Sequence, residues 1–177
     1  FATVYDQEPD EALLSHIQDE LQILKELKEP ADDAERYGHK SENINKNRNY
    51  ELIPHNAHGL FLSRSKTGNY INAVSVDSFK AHDSYIVTQM PLPDTINDFW
   101  QLIIEQGCQA IVMLNDMSTE DKTCLRYWPK DEHTKEHYGQ VEVELTSVNV
   151  EDFLIIRDLK VTEIAKVQFS QLQIITN

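Results

Sequence analysis

Cysteine is scarce in this chain. Only Cys108 and Cys124 occur in 177 residues, and two cysteines at this length do not make a disulfide framework. Basic residues are also few, with 16 Lys and Arg against 30 Asp and Glu and a net charge of −14. Nucleic acid and anionic membrane surfaces demand a basic footprint, so neither is expected as a main partner. The same balance confines any anionic ligand to a local basic pocket. Long apolar runs are missing. The longest, Ile111-Val112-Met113-Leu114 with its flanks, is far too short to span a bilayer, and no direct membrane insertion is expected of this segment. There is no N-terminal basic-then-apolar signal segment, no Asn-x-Ser/Thr acceptor, no repeat and no low-complexity tract. The description that results is a reduced, intracellular protein, one that a receptor's cytoplasmic portion also fits. The chain opens on Phe1 rather than Met, as a fragment or trimmed product would.

What is present reads as one domain of α/β type, preceded by an acidic segment. Residues 1–9 are mixed and acidic. Over 10–29 the apolar residues Leu13, Leu14, Ile17, Leu21, Leu24 and Leu27 recur at three and four, which puts them on one helical face. Asp10 and Glu11 suit the positive end of that helix's dipole, and Pro30 closes it. This helix is expected to dock on the domain or on a neighbour. Residues 31–49 read as loop with a short helical turn. Tyr70–Val76 and Tyr85–Thr88 are β-favouring runs. A second helix follows Pro91-Leu92-Pro93, with Thr95 and Asp98 spaced as a capping box. Ile96, Phe99, Trp100 and Ile103 form its stripe, and Gly107 its stop. The apolar run 110–114 reads as a strand buried on both faces. Val141, Val143 and Leu145 alternate with Glu142, Glu144 and Thr146, the pattern of a half-exposed strand. Runs at 153–162 and 167–175 complete an antiparallel meander.

Several short motifs stand in a fixed order along this frame. They are Lys46-Asn47-Arg48, Asn69-Tyr70-Ile71-Asn72-Ala73, the tract from Tyr85 through Thr88-Gln89-Met90-Pro91 to Pro93, Asp98-Phe99-Trp100, Ile111-Val112-Met113-Leu114 and Tyr127-Trp128-Pro129. In this order and at these separations the chain resembles the protein-tyrosine-phosphatase domain, from about residue 45 to its end. The fold this implies is a twisted mixed β-sheet flanked by helices, incomplete at the C-terminus. The implied division is 1–44 as an N-terminal acidic segment and helix, and 45–177 as the N-terminal part of a phosphatase-like domain.

The resemblance also implies a chemistry and tests whether the chain holds it. Phosphatases of this family stack an aromatic residue on the phosphotyrosine ring. They attack phosphorus with a thiolate from a Cys-x5-Arg loop at a helix N-terminus. A mobile loop carries an aspartic general acid, and a later glutamine positions water. Only the stacking loop maps onto this chain, as Lys46-Asn47-Arg48-Asn49-Tyr50-Glu51. The position of the stacking tyrosine is Asn49, which has no aromatic face. Tyr50 falls one residue late and in an extended segment points the other way. Glu51 replaces an aspartate that holds substrate backbone in the family. Cys-x5-Arg is absent, since Leu114 stands six after Cys108 and Lys130 six after Cys124. No residue is assigned as catalytic, and no cofactor or metal is expected. Cys108 reads as a core thiol, and Trp100 and Trp128 as core anchors.

Two further signals compete. His133-Thr134-Lys135-Glu136-His137 fits the spacing of a zinc protease, but it lies between Pro129 and Gly139 among charges, where a solvated loop is expected. His55-Asn56-Ala57-His58 reads as a turn. Lys46, Arg48, Arg64 and Lys66 make the one local concentration of positive charge. The tract Thr88-Gln89-Met90-Pro91, where the family has glycine at position 90, together with Gly107-Cys108 and Val112-Met113-Leu114-Asn115, looks most like a second, membrane-distal domain of a receptor-type phosphatase. The subgroup it most resembles carries MAM and immunoglobulin-like ectodomains. That implies a docking or regulatory module whose partners are phosphotyrosine proteins or a neighbouring phosphatase domain. The alternative is a fragment of an active domain that hydrolyses phosphotyrosine through a cysteinyl phosphate. Alone, such a half is expected to expose a sheet edge and to be marginally stable.

Overall fold

The computed structural model describes residues 11–26, 36–63, 68–115, 117, 124–164 and 168–176. The chain divides into two compact units, Phe1–Glu35 and Arg36–Asn177. The first contains α1 (Glu11–Glu26), on which Leu14, Ile17 and Leu21 are exposed. The expected continuation of this helix through Leu27 to Pro30 lies outside the described residues, as do Arg64 and Lys66 of the basic concentration.

The second unit has two sheets. β1 (Gly59–Phe61), β2 (Tyr70–Val76) and β3 (Tyr85–Thr88) form an antiparallel sheet in that order. α2 (Ile96–Glu105) follows. The second sheet takes β4 (Ala110–Met113), β5 (Lys135–Tyr138), β6 (Val141–Val150), β7 (Ile155–Glu163) and β8 (Gln168–Thr176). Its spatial order is β4-β8-β7-β6-β5. The four later strands make the expected antiparallel meander, and β4 joins β8 in parallel. This is a mixed α/β architecture.

The alternation in β6 does what its period demands. Val141, Val143 and Leu145 are fully buried, while Glu142 and Glu144 face outward. Register slips between Leu145 and Ser147, and the extra residue, Thr146, turns its hydroxyl to the Asp158 carbonyl at 2.9 Å. α2 is covered nearly all round, because it packs against both sheets. Phe99, Trp100 and Ile103 join the large core of β6, β7 and β8, and Leu102 enters a smaller one with Leu62, Ile71 and Ala73. Trp100 is fully buried and gives its indole N–H to the Tyr127 carbonyl at 2.8 Å. Trp128 is 4% exposed. Both tryptophans belong to the main core and anchor it, Trp100 with the hydrogen-bond partner a buried indole usually finds.

Three expectations are corrected. The run 110–114 is not buried on both faces. β4 is an edge strand whose only partner among the described residues is β8, and Val112 and Leu114 are 62% and 93% exposed. Thr95 and Asp98 do not form a capping box for α2. The Thr95 hydroxyl instead accepts the Leu92 N–H at 2.8 Å and closes a 3-10 turn, Pro93–Thr95, while the Asp98 carboxylate takes the Lys46 ammonium. The histidine pentapeptide is a loop only at its start, where His133 and Thr134 lie in a turn. Lys135–Tyr138 is a strand, paired residue by residue with β6, where Glu142 and Glu144 offer Lys135 opposite charges across the ladder. His133, in a turn with φ 61°, and His137, in the strand, therefore do not share a helical face.

Candidate functional site

The loop 46–51 begins at a 3-10 turn, Ile44–Lys46, and precedes β1. Its first three side chains all turn inward. The Lys46 ammonium sits 3.0 Å from Asp98 Oδ2 at the start of α2 and donates to the Tyr70 carbonyl at 3.1 Å. Asn47 makes four hydrogen bonds, the full capacity of its amide. Its Nδ2 donates to the Gly38 and Asn43 carbonyls at 3.1 and 3.0 Å. Its Oδ1 accepts the Tyr70 hydroxyl at 2.6 Å and Asn72 Nδ2 at 2.9 Å. Arg48 forks onto consecutive carbonyls, Nε to Met90 at 2.6 Å and Nη2 to Pro91 at 3.0 Å. Gln89 closes the arrangement. Its Oε1 accepts the Arg48 N–H at 2.9 Å and its Nε2 donates to the Lys46 carbonyl at 2.7 Å.

These contacts explain why the tract 88–91 tolerates methionine at 90. The carbonyl that takes Arg48 is one any residue supplies, and the methionine side chain packs against the main core with its sulfur accepting Asn115 Nδ2 at 3.2 Å. They also explain Gly38, where a Cβ would overlap the Tyr70 hydroxyl and the Ile53 side chain. The Tyr70 phenol is pushed up to about 12, mainly by burial, with the Asn47 hydrogen bond opposing.

The next three residues face solvent. Asn49 Oδ1 accepts the Glu51 N–H at 2.8 Å, an Asx turn. Tyr50 and Glu51 therefore lie in a turn and not in the extended segment expected of them. Tyr50 is 65% exposed, with its ring 4.9 Å from the His39 ring. Lys46, Tyr70, Gln89, Thr95 and Asp98 line a small crevice beneath the loop. Lys46 is hydrogen-bonded there to Tyr70, Gln89 and Asp98, which ties the loop to α2 and β2.

Of the two thiols, Cys108 packs beside the main core and burial raises its pKa. A thiol held protonated in this way is a poor nucleophile. The turn expected at His55-Asn56-Ala57-His58 is present, and Asn56 Oδ1 accepts the Tyr37 N–H at 2.8 Å. No described group of three His, Cys, Asp or Glu side chains is placed to hold a metal ion. No described helix is long and apolar enough to cross a membrane.

Sequence reasoning missed Asp98 and Gln89 as partners of the loop. Their signal is present only as separation-independent chemistry, a buried acid and a half-buried amide that need partners.

A twisted mixed sheet with α2 packed between it and a small hairpin sheet, pinned by Lys46-Asn47-Arg48, defines a class of phosphatase-like domain. A profile of protein-tyrosine phosphatase matches residues 43–176, and the chain belongs to that family. It is 35% identical over 136 residues to receptor-type tyrosine-protein phosphatase U of Gallus gallus, covering 75% of this chain and 9% of that protein. It is 34% identical over 134 residues to receptor-type tyrosine-protein phosphatase alpha of Homo sapiens, covering 73% and 16%. With receptor-type tyrosine-protein phosphatase epsilon of Homo sapiens it shares 32% over 131 residues, covering 72% and 18%. The chain thus spans less than a fifth of the length of these relatives.

Proposed function

We propose that this chain is part of a receptor-type tyrosine phosphatase and serves as a catalytically incomplete second domain, a docking or regulatory module in phosphotyrosine signalling. Within it, residues 46–51 are an altered phosphotyrosine loop. Residues 1–44 are the acidic segment and helix that precede the domain at 45–177. The parent is of the subgroup with MAM and immunoglobulin-like ectodomains, and this segment lies on its cytoplasmic side. Its partners are phosphotyrosine proteins or a neighbouring phosphatase domain.

The observation that carries this reading is position 49. An asparagine tied into its own turn at 2.8 Å offers no ring to a phosphotyrosine. The cations beside it are engaged with protein groups, Lys46 with Asp98 and Arg48 with two carbonyls. A loop so committed supports scaffold better than substrate capture.

The test mixes the 177-residue chain with a separately purified, active receptor-type phosphatase domain and follows that domain's turnover of para-nitrophenyl phosphate. A saturable change in turnover is the expected result. No change at any concentration, or turnover by the chain itself, would replace the module reading with the enzymatic one.

A further inference from the structure

Two arginines outside the loop meet at Trp128. Arg126 Nε donates to the Trp128 carbonyl at 3.0 Å. Arg157, on β7, places its guanidinium carbon 5.1 Å from the centre of the Trp128 ring, and its Nη1 donates to the Thr176 hydroxyl at 3.0 Å. Each guanidinium carries five N–H donors, and each gives one hydrogen bond here to a described protein group. Neither has a carboxylate partner among the described residues.

In a chain with 30 acids against 16 bases, that lack has a local cause. The carboxylates nearby are held by other donors. Glu132 takes the N–H of Val148, which lies opposite Arg157 across the β6–β7 ladder, at 2.6 Å. Asp158 takes Ser147 Oγ at 2.6 Å and Gln173 Nε2 at 2.8 Å. Glu136 takes the Tyr138 hydroxyl at 2.6 Å. Among the described residues, two like charges therefore stand at one aromatic residue without a carboxylate partner. Arg157 is half-buried, and burial lowers its pKa from the ordinary value, with Arg126 adding to the effect. A charged group taken partly out of water calls for a counter-charge with hydrogen-bonding geometry.

We propose that Arg126 and Arg157, converging on Trp128, form a binding site for a phosphate-class oxyanion. A guanidinium fork matches such an anion in two parallel N–H···O contacts. A dianion neutralises both arginines. The ring of Trp128 is already covered, so the site reads the charged group and not an attached aromatic ring. It is separate from the loop at 46–51 and does not depend on the module reading.

The test is a titration of the full 177-residue chain with sodium phosphate at constant ionic strength. It is followed by the arginine Nε–H and tryptophan indole N–H resonances, with sodium chloride as reference. Saturable shifts confined to Arg126, Arg157 and Trp128 are expected. Arg126→Gln removes an exposed side chain and should weaken the response about tenfold or more, the scale of one charge-assisted hydrogen bond. Arg157→Lys keeps the charge, loses the fork, and should weaken it too. If Arg157 variants fail to fold, Arg126→Gln still decides. A peptide in phosphorylated and unphosphorylated forms separates the sources. Tighter binding of the phosphorylated form than of free phosphate identifies a phosphopeptide site, and equal binding a site for the free ion. Identical responses to phosphate and chloride, or an unchanged titration in Arg126→Gln, overturn the proposal.

Discussion

Lys46 and Asp98, 52 residues apart in the chain, meet at 3.0 Å with side chains 12% and 5% exposed. This pair joins the loop before β1 to the first turn of α2. Burial makes it costly to break from one side. Asp98→Asn leaves an ammonium without its counter-charge, a loss of about 3–5 kcal/mol. At this chain length that lowers the thermal midpoint by roughly 6–20 °C. Replacing both partners, Lys46→Met with Asp98→Leu, should recover most of the loss, since a packed apolar pair of similar volume is often neutral. Thermal melts of the two single variants and the double variant check this. Additive single losses would show that the two side chains do not act as a pair.

Gly38→Ala should destabilise through collision alone. The added Cβ meets the Tyr70 hydroxyl and Ile53, and overpacking of this kind costs about 1–3 kcal/mol. Tyr70→Phe removes the colliding oxygen, so the alanine should cost less in that background. The hydroxyl also bonds Asn47 at 2.6 Å, so Tyr70→Phe carries a penalty of its own. Denaturant melts on the four-member cycle separate the two.

The tyrosines set an alkaline limit. Burial pushes the phenols of Tyr70 and Tyr127 up to about 12 from an ordinary 10.0. The folded state holds these protons more tightly than the unfolded chain does. The resulting stability is fully present below pH 10 and is lost as pH rises toward about 12. Ultraviolet difference absorbance should show both phenols ionising together with unfolding. Ionisation of Tyr70 near pH 10 in a chain still folded would contradict its placement.

Some of this architecture was legible before any coordinates. The period of two over 141–146 and the helical stripe ending at Gly107 are local patterns, and they appear where expected. The apolar run ending at Leu114 misled, because composition does not tell an edge strand from a central one. The strand at Lys135–Tyr138 was hidden for the opposite reason. Its charges are satisfied by Glu142 and Glu144 across the ladder, a pairing that no window on the segment itself contains. The loop at 46–51 was legible as a motif, yet its bonds to Gln89, Met90 and Asp98 span 41 to 52 residues. Such partners are set by topology.

The last prediction concerns chemistry. The 177-residue chain contains no Cys-x5-Arg, and a covalent mechanism needs a thiolate whose charge is stabilised. Cys108 offers the reverse, a thiol beside the core whose pKa burial raises. Catalytic units that act together fail together when one member is missing. The chain should therefore give no turnover of para-nitrophenyl phosphate above background. The Cys108→Ser/Cys124→Ser double variant should be indistinguishable from it in the same assay. Turnover abolished by either serine would reveal an unexpected nucleophile, at Cys108 one whose thiol burial disfavours ionising. Turnover that survives both changes would mean that phosphoester cleavage here does not pass through sulfur at all.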